Sequence, residues 1–278
     1  MKPNIIALDI DGTLTDSAKQ IPPKTRHILM KAQKEGCRIV LASGRTIPAL
    51  RRFAEDLHLD EHHGILVAYN GGMAVDVQTG EVLFDRPLQR SQSKSVLEHM
   101  KKFNVYPMID RGDYMYVNNV YAPPIHVDGT EFNVVEYEAR GGNFLLCEVK
   151  DLAAFADFPI RKILTAGEPD YLLAHYQEMQ APFVDSLSCM FTADFYFEFT
   201  AKGVDKAAAI RAALQKISQK KLTVAAFGDS QNDISMIEMA DLGVAMGNAN
   251  AAVKAAADRI TLSNDEEGVY ETLKDYFA

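Results

Sequence analysis

Asp9 and Asp11 are separated by one residue and follow directly after the apolar run at residues 5–8. This pattern predicts a short buried strand that ends in two acids, and ligands of open α/β sheets bind at the carboxyl ends of the strands. In an extended chain the intervening Ile10 lets both acids point to the same side. Two close carboxylates raise each other's pKa unless a cation lies between them. The pair therefore indicates a metal site or a nucleophile, whereas an Asp-Gly step alone also suits a solvated turn.

Further polar residues follow other apolar segments. Ser43 comes directly after the strand pattern at residues 38–42, and Asp229 comes shortly after the pattern at residues 223–227. Lys206 lies near the beginning of a later helical pattern. Because parallel strands of a doubly wound sheet end at the same edge, these groups can converge although they are distant in sequence. Acids, a hydroxyl and a lysine together fit a metal-assisted phosphoryl site.

The elements that would position these residues alternate regularly at both ends of the chain. Apolar strand patterns are separated by helical patterns, which favours an α/β fold with a doubly wound, mostly parallel, Rossmann-like core sheet. The predicted strands are residues 5–8, 38–42, 65–69, 195–199, 223–227 and 242–246, with helices at 23–34, 47–58, 204–218 and 266–276 and a hairpin at 74–77 and 81–84.

This regular order is interrupted in the middle of the chain. Residues 85–194 carry strand and helix patterns in a less regular sequence, so we predict an inserted α+β cap domain there. The core domain is then discontinuous and consists of residues 1–84 and 195–278. A cap of this kind would act as a lid over a small molecule, with hinges near residues 82–86 and 192–200.

Composition excludes several classes of protein. The length of 278 residues and the hydrophobic fraction of 47% are typical of a folded globular protein. A net charge of -9 disfavours nonspecific binding to nucleic acid or an anionic membrane, but it is compatible with one small bound phosphate. The three scattered cysteines favour reduced thiols over a disulfide framework or a zinc site. With no apolar stretch near the roughly 20 residues that span a bilayer, and no signal-peptide pattern, we expect a cytoplasmic protein.

Four segments resemble the ordered motifs of the haloacid dehalogenase (HAD) superfamily. They are Asp9-Ile10-Asp11-Gly12-Thr13, Ser43-Gly44-Arg45, Gly203-Val204-Asp205-Lys206 and Gly228-Asp229-Ser230-Gln231-Asn232-Asp233. Each motif alone has weak to moderate specificity, but the four together occur in the family's order and span nearly the whole chain. Their spacing resembles the Cof-type hydrolase branch, which carries a large α/β (C2-type) cap between the second and third motifs.

The resemblance implies a role for each acid. Asp9 would be the nucleophile that attacks phosphorus and forms an aspartyl-phosphate, and it would also bind Mg²⁺. Asp11 would donate a proton to the leaving oxygen and later activate water, with its backbone carbonyl on the metal. Asp229 would be a further metal ligand. Three acids without a cation would repel one another strongly, so the resemblance implies dependence on Mg²⁺.

The resemblance also implies a set of phosphate-binding positions. They are Ile10, Ser43, the amide of Gly44, Lys206 and Asn232. Thr13, which would hydrogen-bond Asp11 or cap a turn, and Arg45, which would help to bind phosphate or contact the cap, are supporting positions that could equally be structural. Asp233 would reach the metal through a water molecule. Lys202 also fits a phosphate-binding role, but Lys206 matches the family's lysine by its place after Gly203-Val204-Asp205. Asn70-Gly71-Gly72 resembles a segment usual in this branch, and it suits either a turn or a substrate contact.

These implied roles lead to a functional expectation. We expect a Mg²⁺-dependent phosphohydrolase that acts on a small phosphorylated metabolite, such as a sugar phosphate or a phosphorylated cofactor. The alternatives are a phosphosugar mutase and a phosphosugar-binding regulatory protein. An intact set of catalytic residues argues against the regulatory alternative. The motifs are shared across many leaving groups, so they do not specify the substrate.

Overall fold

The computed structural model describes residues 2–277. The chain divides into two compact units: a core unit, made of the residues up to Asp85 and from Asp205 onwards, and an inserted unit, Arg86–Val204. Among the described residues, no helix combines the length and the apolar character that crossing a membrane requires.

The elements are numbered in chain order. The first part of the core unit contains β1 (Ile5–Leu8), α1 (Pro23–Lys34), β2 (Arg38–Ala42), α2 (Ile47–Asp56), β3 (Ile65–Ala68), β4 (Met73–Asp76) and β5 (Val82–Asp85). The inserted unit contains α3 (Arg90–Met100), β6 (Tyr106–Arg111), β7 (Tyr114–Val117), β8 (Ile125–Val127), β9 (Thr130–Phe132), α4 (Val134–Gly141), β10 (Leu145–Glu148), α5 (Leu152–Phe155), β11 (Lys162–Ala166), α6 (Pro169–Gln180), β12 (Leu187–Ala193) and β13 (Tyr196–Ala201). The second part of the core unit contains α7 (Lys206–Ile217), β14 (Val224–Gly228), α8 (Ile234–Met239), β15 (Leu242–Ala245), α9 (Ala251–Ala256), β16 (Arg259–Ile260) and α10 (Gly268–Phe277).

The core unit is built on one sheet with the strand order β16-β15-β14-β1-β2-β3-β4-β5. Strands from β16 to β3 are parallel to their neighbours, and β4 and β5 continue the sheet as an antiparallel hairpin. Along β1, Ile6 and Leu8 pack into one apolar cluster while Ile5 and Ala7 pack into another. Burial of both faces accounts for the continuous apolar runs in the sequence. The predicted α/β class with a mostly parallel core sheet is confirmed.

The register of this sheet brings the motif residues to one edge. Leu8, the last residue of β1, is opposite Phe227 on one side and Leu41 on the other. The chain therefore leaves β1, β2 and β14 at nearly the same level, and Asp9, Ser43 and Asp229 follow these strands at the carboxyl edge of the sheet.

The inserted unit has a separate sheet with the order β10-β7-β6-β11-β13-β12, and β8 pairs only with β9. An apolar cluster on one face of this sheet includes residues of α3, α5 and α6. A second cluster includes residues of α4, such as Val134 and Val135. Apolar packing thus covers both faces of this sheet as well.

The structure corrects the second predicted boundary. The sequence predicts that the strand at residues 195–199 belongs to the core domain, yet β13 pairs with β11 and β12 inside the inserted unit. The hinge predicted at residues 192–200 likewise falls in the β12–β13 hairpin, and the inserted unit extends to Val204. All six residues of β13 are buried, so its sequence has the continuous apolar character of a parallel core strand.

Candidate active site

Lys206 joins two of the acids that follow the core strands. Its side chain is fully buried, and Nζ lies 2.6 Å from Oδ1 of Asp9 and 2.6 Å from Oδ1 of Asp233. Lys206 is the first residue of α7, after Asp205 caps the helix by accepting a hydrogen bond from the amide of Ala208. Residues that are almost 200 positions apart in the sequence thereby form one ion-paired group.

Asp233 also shapes the loop that carries Asp229. Its second oxygen, Oδ2, accepts hydrogen bonds from the amides of Asp229 and Ser230, at 3.0 and 2.9 Å. Asp229 in turn accepts hydrogen bonds from the hydroxyls of Thr13 at 2.8 Å and Ser230 at 3.0 Å. The sequence suggested Thr13 as a partner of Asp11, but the structure pairs its hydroxyl with Asp229.

Together these residues form an acidic group that suits a hard cation. Asp9, Asp229 and Asp233 can each direct one carboxylate oxygen to within 4.8 Å of the others. Carboxylate oxygens are the ligands that Mg²⁺ prefers in proteins. When all three carboxylates are ionised, one ammonium leaves two negative charges without a counter-charge, which is the charge that a divalent ion supplies. The donor set therefore fits Mg²⁺.

The acidic group has an unusual titration behaviour. Burial, together with the charges of Asp233 and Asp229, raises the pKa of Asp9 to about 8 against the opposing effect of Lys206. Burial also raises the pKa of Asp229. The sequence suggested Asp11 as the like-charged neighbour of Asp9, whereas Asp233 and Asp229 are the carboxylates that contribute to this raised pKa.

Asp11 lies in a different electrostatic environment. Its carboxylate accepts hydrogen bonds from Nε of Arg45 at 2.7 Å, from Nη2 of Arg45 at 2.9 Å and from Nζ of Lys19 at 3.0 Å. Burial opposes ionisation of Asp11, but these two cations outweigh it and lower the pKa to about 2. The structure thus separates the side chains of the two acids: Asp9 joins the acidic group, and Asp11 is bound by cations.

The other predicted phosphate-binding residues surround these acids on loops of the core unit. Ser43 is buried, and its Oγ accepts a hydrogen bond from the amide of Arg45, so its own hydrogen is available for donation. The side chain of Ile10 is buried in the apolar core, which leaves only its main chain for a ligand. Asn232 is exposed and donates from Nδ2 to Oδ1 of Asn70 at 2.9 Å.

Some residues have a role that the sequence did not reveal. Lys19 contacts Asp11 through a turn in which Lys19 itself has a φ of +60°, and its sequence context gives no sign of this contact. Lys202, the alternative lysine, donates to the carbonyl of Asp185 in the inserted unit. Lys206 therefore lies with the acids of the core unit, whereas Lys202 contacts the main chain of the inserted unit.

Comparison with known proteins identifies the family of this chain. Residues 6–273 match the family model described as haloacid dehalogenase-like hydrolase. A haloacid dehalogenase-like hydrolase from Bacteroides thetaiotaomicron superposes with a TM-score of 0.89 at 32% identity, over 99% of this chain and 100% of the other. From Bacillus subtilis, the 5-amino-6-(5-phospho-D-ribitylamino)uracil phosphatase YitU is 29% identical over 100% of this chain and 98% of its own, and the phosphatase YwpJ is 27% identical over 97% and 98%. The chain therefore belongs to the haloacid dehalogenase-like hydrolase family.

Proposed function

We propose that this protein is a Mg²⁺-dependent phosphohydrolase that removes phosphate from a small phosphorylated metabolite through an aspartyl-phosphate. The observation that carries the proposal is the acidic group around Lys206 at the carboxyl edge of the core sheet, in which Asp9 and Asp233 are buried and Asp229 is half-buried. Relatives that match over their full length include phosphatases, and YitU is named for a small phosphorylated substrate. A sugar phosphate or a phosphorylated cofactor is the proposed substrate class.

In the first step, a carboxylate oxygen of Asp9 attacks phosphorus, and the bond between phosphorus and the leaving oxygen breaks. Lys206 already binds Oδ1 of Asp9, which holds the carboxylate in one orientation. Lys206, the hydroxyl of Ser43, the Gly44 amide and Asn232 would bind the nonbridging oxygens. Stabilisation of charge is the main requirement of such a loose transition state.

Asp11 is proposed to transfer the protons. It gives its proton to the leaving oxygen in the first step, and in the second it takes a proton from the water that attacks the aspartyl-phosphate and releases inorganic phosphate. The ion pairs with Arg45 and Lys19 favour the ionised form that accepts a proton. Donation requires the neutral acid, so these ion pairs must loosen before the first step.

The metal would lie among the carboxylates of Asp9, Asp229 and Asp233, with the main-chain carbonyl of Asp11 as a further ligand. When bound, Mg²⁺ would neutralise charge on the phosphoryl group and lower the repulsion among these acids. Without it, the raised pKa of Asp9 favours the neutral carboxyl, which is a poor nucleophile.

The test is phosphate release from a panel of phosphorylated metabolites, with and without Mg²⁺, by the wild type and by Asp9→Asn. We expect release that needs Mg²⁺ and that falls by more than about 10³-fold in Asp9→Asn, because the amide cannot form the covalent intermediate. Asp60→Asn, an exposed position in a short turn after α2, is the matched control and should keep full activity.

Each alternative gives a distinct result. Undiminished turnover by Asp9→Asn would exclude the aspartyl-phosphate, and turnover that chelation of Mg²⁺ leaves unchanged would exclude the metal. Absence of release from every substrate, with conversion of one sugar phosphate into its isomer, would replace the hydrolase by a mutase. Tight binding of sugar phosphates without either reaction would support the regulatory alternative.

A further inference from the structure

The chain segment after β3 has an unusual backbone. Tyr69, Asn70 and Gly71 have φ values of +56°, +54° and +103° in succession. Left-handed backbone is tolerated by glycine and to some extent by asparagine, but it is uncommon for an aromatic residue. Strained residues of this kind persist where the surroundings fix them, and they concentrate at functional sites.

Main-chain hydrogen bonds fix this segment against the loop that follows β2. The amide of Tyr69 donates to the carbonyl of Arg45 at 3.0 Å, and the amide of Asn70 donates to the carbonyl of Ser43 at 3.0 Å. The backbone of the segment is thereby attached to both ends of the Ser43-Gly44-Arg45 motif.

The side chain of Asn70 lies between two of the proposed phosphate-binding residues. It is only 8% exposed, and its Oδ1 accepts a hydrogen bond of 2.9 Å from Nδ2 of Asn232. A Cβ atom at Gly44 would lie 3.0 Å from Nδ2 of Asn70, so the carboxamide packs directly over the backbone of Gly44. One buried amide therefore contacts both the second and the fourth motif.

The same segment also contacts the third motif. A Cβ atom at Gly71 would lie 2.1 Å from the carbonyl oxygen of Asp205 and 3.0 Å from the amide nitrogen of Lys206. Only glycine permits this approach of two backbones. The start of α7, and with it Lys206, thus packs against the residue that follows Asn70.

We propose that Asn70 is a positioning residue for the phosphate site, acting chiefly through Asn232. This inference rests on the proposed function. The exposed side chain of Asn232 would otherwise rotate freely, and the hydrogen bond to Asn70 fixes its orientation. One hydrogen of the Asn232 amide is used in that bond, and the second is left to donate to a phosphate oxygen. A neutral amide suits this place because a carboxylate would repel the anion.

Asn70→Gly is the central test variant. Glycine tolerates the left-handed backbone, so the substitution removes the carboxamide and leaves the turn intact. With para-nitrophenyl phosphate as the probe, we expect KM and the inhibition constant of inorganic phosphate to rise about 5- to 20-fold, the effect of one hydrogen bond near a charged ligand. The thermal midpoint should stay within about 3 °C of the wild type, since glycine keeps the left-handed backbone of the turn.

Two further variants separate positioning from a merely structural role. In a double-mutant cycle, Asn70→Gly should raise KM by less than about 2-fold when it is introduced into Asn232→Ala, because both substitutions remove the same oriented donor. Asn70→Asp keeps an acceptor and tolerates the turn, yet it should bind inorganic phosphate at least as weakly as Asn70→Gly. His58→Gly is the matched control, since His58 has a φ of +50° outside the four motifs, and it should match the wild type.

Unchanged KM and unchanged inhibition by phosphate in Asn70→Gly would overturn the inference while the proposed function stands. Full multiplicative effects of Asn70→Gly and Asn232→Ala would also overturn it, because Asn70 would then act independently of Asn232. A wild type that neither hydrolyses phosphomonoesters nor binds inorganic phosphate would instead remove the proposed function, and this inference with it.

Discussion

Each unit of the molecule contains a buried lysine that is paired with a carboxylate, and the two sites differ in how the carboxylates are arranged around the lysine. In the core unit, Lys206 faces Asp9 and Asp233 at 2.6 Å each, with Asp229 in the same group. In the inserted unit, Lys162 lies 2.9 Å from Glu198. Both lysines have a raised pKa, because nearby carboxylates outweigh the effect of burial.

This difference distinguishes a binding site from a structural pair. The Lys162–Glu198 pair joins β11 to β13, and Thr192 donates a further hydrogen bond to Glu198. Glu138 and Asp110 also contribute negative charge near Lys162, but among the described residues it is Asp9, Asp229 and Asp233 whose carboxylate oxygens converge to within 4.8 Å of one another. The Lys206 group has a surplus of negative charge, so its carboxylates repel one another until a cation binds. Convergence of three carboxylates, rather than burial of a lysine, is the feature that marks the candidate active site.

Lys206→Met should have the largest effect, because it removes the only ammonium from a group of three acids. We expect kcat/KM to fall about 10²- to 10³-fold, as for loss of one group that stabilises the transition-state charge. Without Mg²⁺ the variant should also lose about 3–5 kcal/mol of unfolding free energy, the usual result of leaving a buried charge unpaired. Phosphate release and urea denaturation measure the two effects, and added Mg²⁺ should restore part of the stability.

Lys202→Met provides the matched control for this experiment. Its Nζ contacts a backbone carbonyl in the inserted unit, so activity should stay within about 2-fold of the wild type. A large loss of activity in Lys202→Met, with normal turnover in Lys206→Met, would reverse the assignment of the phosphate-binding lysine.

Lys162→Met tests the other side of the comparison. Glu198 would be left buried without its cation, so we expect a loss of about 3–5 kcal/mol in the free energy of unfolding. Mg²⁺ should not restore it, and kcat at a temperature well below the melting transition should be unchanged. Urea denaturation with and without Mg²⁺, combined with a turnover assay, checks these expectations.

Removing both partners refines the same prediction. Lys162→Met combined with Glu198→Leu should recover most of the lost stability, because two apolar side chains of similar volume can replace a buried ion pair. Oε2 of Glu198 has no hydrogen-bond partner in the described structure, which further lowers the cost of replacing it. Lys150→Met, at an exposed position, should match the wild type. A double variant as unstable as Lys162→Met would show that packing, rather than charge, dominates this site.

The sequence predicted the residues that local patterns determine. The strands before Asp9, Ser43 and Asp229 are apolar runs that are buried on both faces, and their parallel register alone brings the following residues to one edge. Short-range order of this kind can be predicted because the strand, its burial and its carboxyl end are encoded in consecutive residues.

Side-chain partners across loops could not be predicted in this way. The pairing of Asp11 with Arg45 and Lys19 depends on how two loops approach each other in the folded core unit. Assignment of β13 failed for a different reason: a strand buried on both faces in the inserted sheet has the same sequence character as a core strand. Asn70 was recognisable as part of a turn, but its contact with Asn232 exists only in the tertiary structure.

One cysteine in each unit can report on the local stability of that unit. We expect the changes in the alkylation rates of these thiols to be the smallest of the predicted effects. Burial raises the pKa of Cys37 in the core unit to about 12 and that of Cys189 in the inserted unit to about 11. At pH 8 both folded thiols are therefore almost fully protonated and should react slowly with iodoacetamide.

Because the pKa of Cys189 is raised, its contribution to stability is complete below about pH 9 and is lost as the pH rises through about 11.

The rate of alkylation in a Cys147→Ala background then sharpens the comparison between the two buried lysines. Cys189 lies opposite Phe199, the neighbour of Glu198 in β13, so loosening of this sheet exposes it. We expect Lys162→Met to accelerate labelling of Cys189 by at least about 10-fold with little change at Cys37, since local opening is confined to the destabilised unit. Lys206→Met without Mg²⁺ should do the reverse. Equal acceleration of both thiols in either variant would show that the two units unfold together. The two buried lysines would then differ in their charged surroundings, but they would not stabilise separate units.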